Sequence, residues 1–187
     1  MRIVLMGPPG AGKGTQAVSL ANQLGIAHIS TGDIFRSNVS DKTELGLLAK
    51  KYMDAGEYVP DSVTNEMVKH RLAEPDVQHG FLLDGYPRTV AQVAELDVIL
   101  SKLGAQVDLV IELTVDIDEV VKRLVQRSLQ QGRSDDSEEV IRRRLEVYQE
   151  QTAPLLAAYR ARGVLKSVSG MGEIEQVRER LAQLVAS

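Results

Sequence analysis

A three-layer α/β fold built on a five-stranded parallel sheet is the fold class this sequence predicts, and two observations predict it. Short apolar runs at residues 3–6, 27–30, 81–84, 109–113 and 164–168 alternate with segments of helical period. That alternation is how a parallel sheet with helices on both faces is written in a sequence. The first apolar run passes directly into a glycine-rich turn, Gly7 to Gly12, then Lys13 and the start of a helical pattern. Strand, glycine-rich turn, lysine and helix in that order form a phosphate-holding P-loop, so the chain is expected to handle a nucleoside triphosphate.

Each element has a local reason. Ile3, Val4, Leu5 and Met6 are apolar without alternation, as in a strand covered on both faces. Gly7, Gly10 and Gly12 let the following loop turn its backbone N–H groups inward, where they and the next helix N-terminus attract phosphate oxygens. Lys13 then stands where an ammonium reaches the β- and γ-phosphates, with charge stabilisation as its role. The P-loop pattern ends in Ser or Thr, but Gly14 occupies that place and Thr15 follows one position later, so magnesium needs another anchor.

The helix at 13–24 stops at Gly25 and one at 44–55 stops at Gly56, each glycine suited to the left-handed closing turn. Asp41 with Glu44, and Thr89 with Gln92, have the spacing of capping boxes. Ile174, Val177, Leu181 and Leu184 lay an apolar stripe on the last helix and are expected to be core. Two stretches break the alternation. Residues 31–59 hold helices but no strand, and 127–137 read as a polar loop between two long helical patterns. Both are expected to be insertions over the carboxyl edge of the sheet, where ligands of open α/β sheets bind.

The 187 residues suit one domain, and 43% hydrophobic residues suffice for its core. A net charge of -4 offers no general attraction to nucleic acid or anionic lipid, so arginine clusters are expected to serve a compact anion. There are no cysteines, which excludes disulfides and thiolate metal sites. His28, His70 and His79 are too scattered for a metal cluster and are expected at the surface or in loops. With no signal core and no apolar stretch near the ~18 residues of a membrane span, a cytoplasmic protein is expected.

Gly7 to Thr15, Ser30-Thr-Gly-Asp-Ile-Phe-Arg36, Asp84-Gly-Tyr-Pro-Arg-Thr89 with Gln92, and Gly132-Arg-Ser-Asp-Asp136 together resemble the adenylate kinase family, in order and along the whole chain. The resemblance implies reversible phosphoryl transfer from MgATP to AMP giving two ADP, in adenine nucleotide homeostasis and AMP salvage. It also implies a P-loop core (1–29, 60–126 and 138–187), a helical AMP-binding insertion (30–59) and a short lid (127–137).

Carried over position by position, Gly10, Ala11, Gly12, Lys13, Gly14 and Thr15 bind the ATP phosphates. Thr31, Arg36, the backbone of Glu57, Tyr58 and Val59, then Gly85, Tyr86, Pro87, Arg88 and Gln92 hold AMP. Arg36 and Arg88 have the fork geometry for its phosphate, and the Gln92 amide can pair with the donor and acceptor edge of adenine. Gln92 also fits as nothing more than the capping partner of Thr89. Arg127, Arg133 and Arg144 match phosphate-clamping positions, with Arg133 and Arg144 also on AMP. Arg123 matches a position stacked near the ATP adenine, and the Gly170-Met-Gly172 turn one whose backbone meets the ATP base.

Lys13, Arg88, Arg127, Arg133 and Arg144 form the implied catalytic set around the transferring group. Arg142 and Arg143 read as a solvated helix face paired with Glu138 and Glu139. Asp135 and Asp136 match the family's lid acids and also precede a helix as caps do. Asp84 ends the strand 81–84 near the phosphates, where a carboxylate holds water on Mg²⁺ in place of the hydroxyl missing at Gly14. The lid lacks an inserted hairpin with four metal-ligand positions, so no structural zinc is expected.

Three other readings compete. A kinase for UMP or CMP would share the P-loop and short lid, but Thr31 and Gln92 argue against it. A nucleotide-sensing module would have no need of Lys13, Asp84 and the arginines together. A P-loop ATPase would need a residue to position water, and none is evident.

Overall fold

The computed structural model describes residues 1–131 and 137–186. Five strands, β1 (Arg2–Met6), β2 (Ala27–Ser30), β3 (Phe81–Asp84), β4 (Leu109–Thr114) and β5 (Leu165–Ser169), form one sheet in the order β2-β3-β1-β4-β5 with every pair parallel. The strands fall where the apolar runs predict, within a residue or two at the ends. β5 starts at Leu165 instead of Val164, although the Val164 carbonyl still accepts from the Val110 N–H at 2.8 Å.

Side chains alternate across the sheet, so each strand feeds two cores. Val4, Met6, Leu83 and Val110 pack with Val68 and Leu72 of α4 (Asp61–Leu72), Val93, Leu96 and Leu100 of α5 (Val90–Lys102), and Leu155 and Tyr159 of α8 (Ala153–Ala161). Ile3, Leu5, Leu82 and Ile111 pack on the other face with Ala17 and Leu20 of α1 (Lys13–Leu24), and Val177 and Leu181 of α9 (Ile174–Ala186). Two of the four stripe residues of the last helix are thus fully in the core. Ile174, at the first position of α9, is exposed.

The stretch 31–59 holds α2 (Thr31–Ser40) and α3 (Glu44–Asp54) and no strand, and has a small core of its own around Phe35, Ala49 and Val59. The cap of α3 corrects one expectation: Thr43, not Asp41, is its N-cap, with the Thr43 hydroxyl accepting from the Gly46 N–H at 3.0 Å. Asp41 instead closes α2, and Lys42 at φ 53° makes the turn between them. The expected polar loop at 127–137 is also revised. α6 runs Ile117–Gln131, because nothing from Arg127 to Gln131 breaks a helix before Gly132. α7 (Glu138–Val147) is capped by Ser137, whose hydroxyl accepts from Val140 N–H, so neither Asp135 nor Asp136 is its N-cap. Both acids lie outside the described residues.

A π-helical turn, Tyr148–Thr152, joins α7 to α8. Its cause is Pro154: a proline has no N–H to give and its ring clashes with the carbonyl four residues back, and the wider turn relieves both. His28 lies in β2 with a buried Nε2, not at the surface or in a loop. His70 and His79 are exposed.

Candidate active site

The register of the sheet assembles the site. Leu5 and Ser30 both pair with Asp84, and Met6 with Glu112, so β1, β2, β3 and β4 end at nearly one level. The residues that follow, Gly7, Thr31 and Gly85, therefore emerge side by side. β1 is central, and the chain builds first to one side of it and then to the other, so its carboxyl end is the switch point where ligands of such sheets bind.

Gly7, Gly10 and Gly12 all have positive φ, the backbone state an inward-facing loop needs. Lys13, the first residue of α1, folds back so that its ammonium donates to the carbonyls of Gly7 at 2.7 Å and Pro8 at 2.8 Å. Desolvation lowers its pKa to about 8, against the opposing pull of Asp84, and Arg88, Arg144 and Arg127 push it down further. Lys13, Arg88, Arg127 and Arg144 thus lie within one electrostatic neighbourhood, although they come from α1, the loop after β3, α6 and α7. Such a concentration of cations gives the loop a positive potential suited to an anion.

Beside the loop opens a cavity. Of the residues expected to hold AMP, Thr31, Arg36, Glu57, Tyr58, Val59, Gly85, Tyr86, Pro87, Arg88, Gln92 and Arg144 all line it, together with Lys13. Thr31 donates to the Gly85 carbonyl at 2.9 Å. Arg36 pairs with Asp33, and although burial opposes it, that guanidinium holds the Asp33 carboxyl below its usual pKa. The Arg88 Nε donates to the Gly85 carbonyl at 2.7 Å, and its guanidinium carbon lies 4.9 Å from the centre of the Tyr58 ring. A Cβ on Gly85 would come within 2.8 Å of both Arg88 Nη2 and Thr31 Oγ1, so only glycine lets these two groups meet over the chain.

Gln92 is almost wholly buried, and both ends of its amide are engaged. Its Oε1 accepts from the Arg88 N–H at 2.7 Å and its Nε2 donates to Asp61 at 2.7 Å. Thr89 caps α5 by accepting from the Gln92 N–H, as the spacing predicts, but the return bond reaches Arg88 N–H, one residue earlier than a capping box closes. The Tyr86 side chain points into the core, its hydroxyl donating to Asn65 at 2.9 Å.

On the far side of the loop, Arg123 pairs with Glu119 at 3.0 Å and donates to the Gly170 carbonyl at 3.1 Å. Arg180 donates to the carbonyls of Ser169 at 3.0 Å and Met171 at 2.7 Å, and Gln16 of α1 donates to that of Ile174 at 3.0 Å. The turn 170–172 is thereby held beside the phosphate loop, with Gly172 at φ 101°. Gly10 packs against Val120 and Leu124 of α6.

The three adjacent arginines of α7 have three different surroundings. Arg142 pairs with Glu138 at 2.8 Å on the solvent face, as expected. Arg143 does not pair with Glu139: its Nε reaches across to Glu57 at 2.6 Å, with Glu146 at 3.1 Å. Arg144 lines the cavity. Arg133 lies outside the described residues.

Sequence reading missed Asp61, which accepts from both Thr89 and Gln92, and also Tyr148 and Thr152, which line the cavity. The available signals were an acid at the start of α4 and the polar Tyr-Gln-Glu-Gln-Thr run after α7. Asp84, the expected magnesium anchor, is buried at the end of β3 beside Gly14, and one carboxylate next to a phosphate loop suits a cation that keeps most of its water. Among the described residues there is no group of three or more His, Asp or Glu able to hold a metal by themselves. No helix among them is long and apolar enough to cross a membrane.

The profile of the family described as Adenylate kinase matches residues 5–164. Comparison with curated proteins finds the adenylate kinase of Nocardioides sp., 58% identical over 183 residues, covering 98% of this chain and 96% of that protein. The adenylate kinase of Kocuria rhizophila is 59% identical over 180 residues, covering 96% of each. That of Thermobifida fusca is 57% identical over 180 residues, covering 96% of this chain and 95% of the other.

Proposed function

The chain belongs to the adenylate kinase family, and from that premise we propose how its residues carry out the family's reaction. It is an enzyme that moves the terminal phosphoryl group of ATP reversibly to AMP, forming two ADP. The observation that supports the residue assignments is that Lys13, Arg88 and Arg144 line one cavity at the carboxyl end of β1, with Arg127 close enough to act on Lys13 electrostatically.

An oxygen of the AMP phosphate attacks the γ-phosphorus of ATP, and the bond from that phosphorus to the β-bridging oxygen breaks. In a loose transition state the charge spreads over the equatorial oxygens, so aligned cations in a dry site supply most of the acceleration. No general base is required, because the nucleophile is already an anion. Lys13 exchanges its loop carbonyls for phosphate oxygens when ATP arrives. Arg36 and Arg88 hold the AMP phosphate in the cavity, while Arg127, Arg133 and Arg144 neutralise the group in flight. Arg123 and the turn at Gly172 receive the ATP base. Asp84 would hold magnesium, which when bound would neutralise charge on the triphosphate. Closure of the lid excludes bulk water from the transfer.

A cytoplasmic monomer independent of zinc completes the reading. The test of the whole is a panel of acceptors, AMP against UMP, CMP and GMP, with MgATP in a coupled ADP-forming assay. AMP is expected to exceed the pyrimidine acceptors at least about tenfold in kcat/KM, since unpaired polar groups in a buried pocket cost roughly 1 to 3 kcal/mol each. Equal or better rates with UMP would overturn the acceptor assignment.

A further inference from the structure

We propose that Thr152, in the π-helical turn after α7, is a positioning residue for Arg88 and through it sets the affinity for the acceptor monophosphate. The proposal rests on the reading that Arg88 binds the AMP phosphate.

Thr152 is 4% exposed, and a hydroxyl so buried must be hydrogen-bonded. Its Oγ1 lies 2.9 Å from the Arg88 carbonyl and 2.8 Å from the Tyr58 hydroxyl. A carbonyl only accepts, so the Thr152 proton goes to Arg88 and the Tyr58 proton must go to Thr152. The result is a one-way chain from Tyr58 O–H to Thr152 O–H to Arg88 C=O. It links the 30–59 insertion, the turn after α7 and the loop after β3, three segments far apart in sequence.

The chain acts on Arg88 from two sides. Thr152 holds the backbone carbonyl of Arg88, while the Gln92 amide holds its N–H at 2.7 Å. Tyr58, oriented by its bond to Thr152, lays its ring against the Arg88 guanidinium at 4.9 Å. With Nε spent on the Gly85 carbonyl, the fork is directed over Gly85, toward the cavity that Thr31 and Lys13 also line. A misaimed guanidinium loses the two-point fit to a phosphate that distinguishes arginine from a mobile cation. The π turn is what carries Thr152 to this place, and such turns recur at functional sites.

Thr152→Val keeps the shape and removes the hydroxyl, stranding the Arg88 carbonyl and the Tyr58 hydroxyl. Steady-state kinetics are expected to show KM for AMP raised roughly tenfold, with KM for ATP within about twofold of the parent. Thr152→Ser is expected to restore the parent value, because it restores the hydroxyl. Equal effects on both nucleotides, or no rescue by serine, would reduce Thr152 to a structural residue and overturn the proposal. Should the valine variant not fold, Tyr58→Phe removes the donor above Thr152 while keeping the ring, and unchanged AMP affinity in that variant would overturn it as well. Arg88→Ala, measured alongside, separates the two levels. If it leaves the AMP dependence unaltered, the assignment of Arg88 fails and the proposal with it. If it weakens AMP while Thr152→Val does not, the proposal alone fails.

Discussion

A Cβ on Gly14 would lie 3.7 Å from Asp84 Oδ2, so the position where a P-loop usually carries its magnesium-binding hydroxyl faces a carboxylate instead. On the proposed assignment the magnesium anchor is Asp84 at the end of β3. Asp84→Asn is therefore expected to raise the magnesium concentration for half-maximal activity at least about tenfold, with an unchanged circular dichroism spectrum, since an amide polarises bound water far less than a carboxylate. Titration of activity with Mg²⁺ at fixed ATP checks this, and an unaltered titration would remove Asp84 from the metal site. Chelation of zinc is expected to leave the activity in place.

Lys13 predicts a pH dependence with a definite sign. Its pKa in the nucleotide-free protein is about 8, below the usual lysine value because burial disfavours the ammonium. On the proposed role the ammonium form binds phosphate, so kcat/KM for ATP should fall as pH rises through about 8. Bound phosphate stabilises the charged form, so kcat should hold to higher pH than kcat/KM. Lys13→Arg, less active overall, should push the inflection out of the accessible range. A flat kcat/KM profile between pH 7 and 9.5 would contradict the assignment.

Gln92 predicts an effect on the acceptor alone. Its amide is held by Arg88 and Asp61, so the edge it offers a base is set by those partners. Gln92→Leu should lower kcat/KM for AMP roughly tenfold or more and compress the preference over UMP, with KM for ATP unchanged. Asp61→Asn should share part of the effect, because it loosens the hold on Gln92 and Thr89. A full preference for AMP in the leucine variant would leave Gln92 only its structural bonds.

The arginines of α7 give the sharpest contrast. Arg144 lines the cavity and Arg142 faces solvent beside Glu138, so Arg144→Ala should slow turnover roughly 10²-fold or more while Arg142→Ala changes it little. Arg133→Ala is expected to behave as Arg144→Ala does. Kinetics in the ADP-forming direction, with circular dichroism as folding control, measure the difference. Comparable losses for Arg142 and Arg144 would mean that the helix presents a different face to the nucleotide.

What the sequence determined by itself is local. Gly7, Gly10 and Gly12 impose the phosphate loop, Gly25 ends α1 at the expected residue, and Thr89 caps α5, because each acts through backbone geometry within a few residues. The apolar runs determined the sheet, since its central strands are covered on both faces, while the edge strand β5 is exposed at Lys166, Ser167 and Ser169. Helix boundaries were less legible where two signals competed, as at Asp41 and Thr43, or where a polar stretch remained helix-compatible, as from Arg127 to Gln131. Tertiary structure alone decided the long-range partners of polar groups. Asp61 meets Gln92 across 31 residues, Thr152 meets Arg88 across 64, and Arg143 meets Glu57 across 86. A hydroxyl or a guanidinium bonds whatever the folded chain brings within 3 Å, and that proximity comes from the crossovers and strand register, not from spacing along the chain.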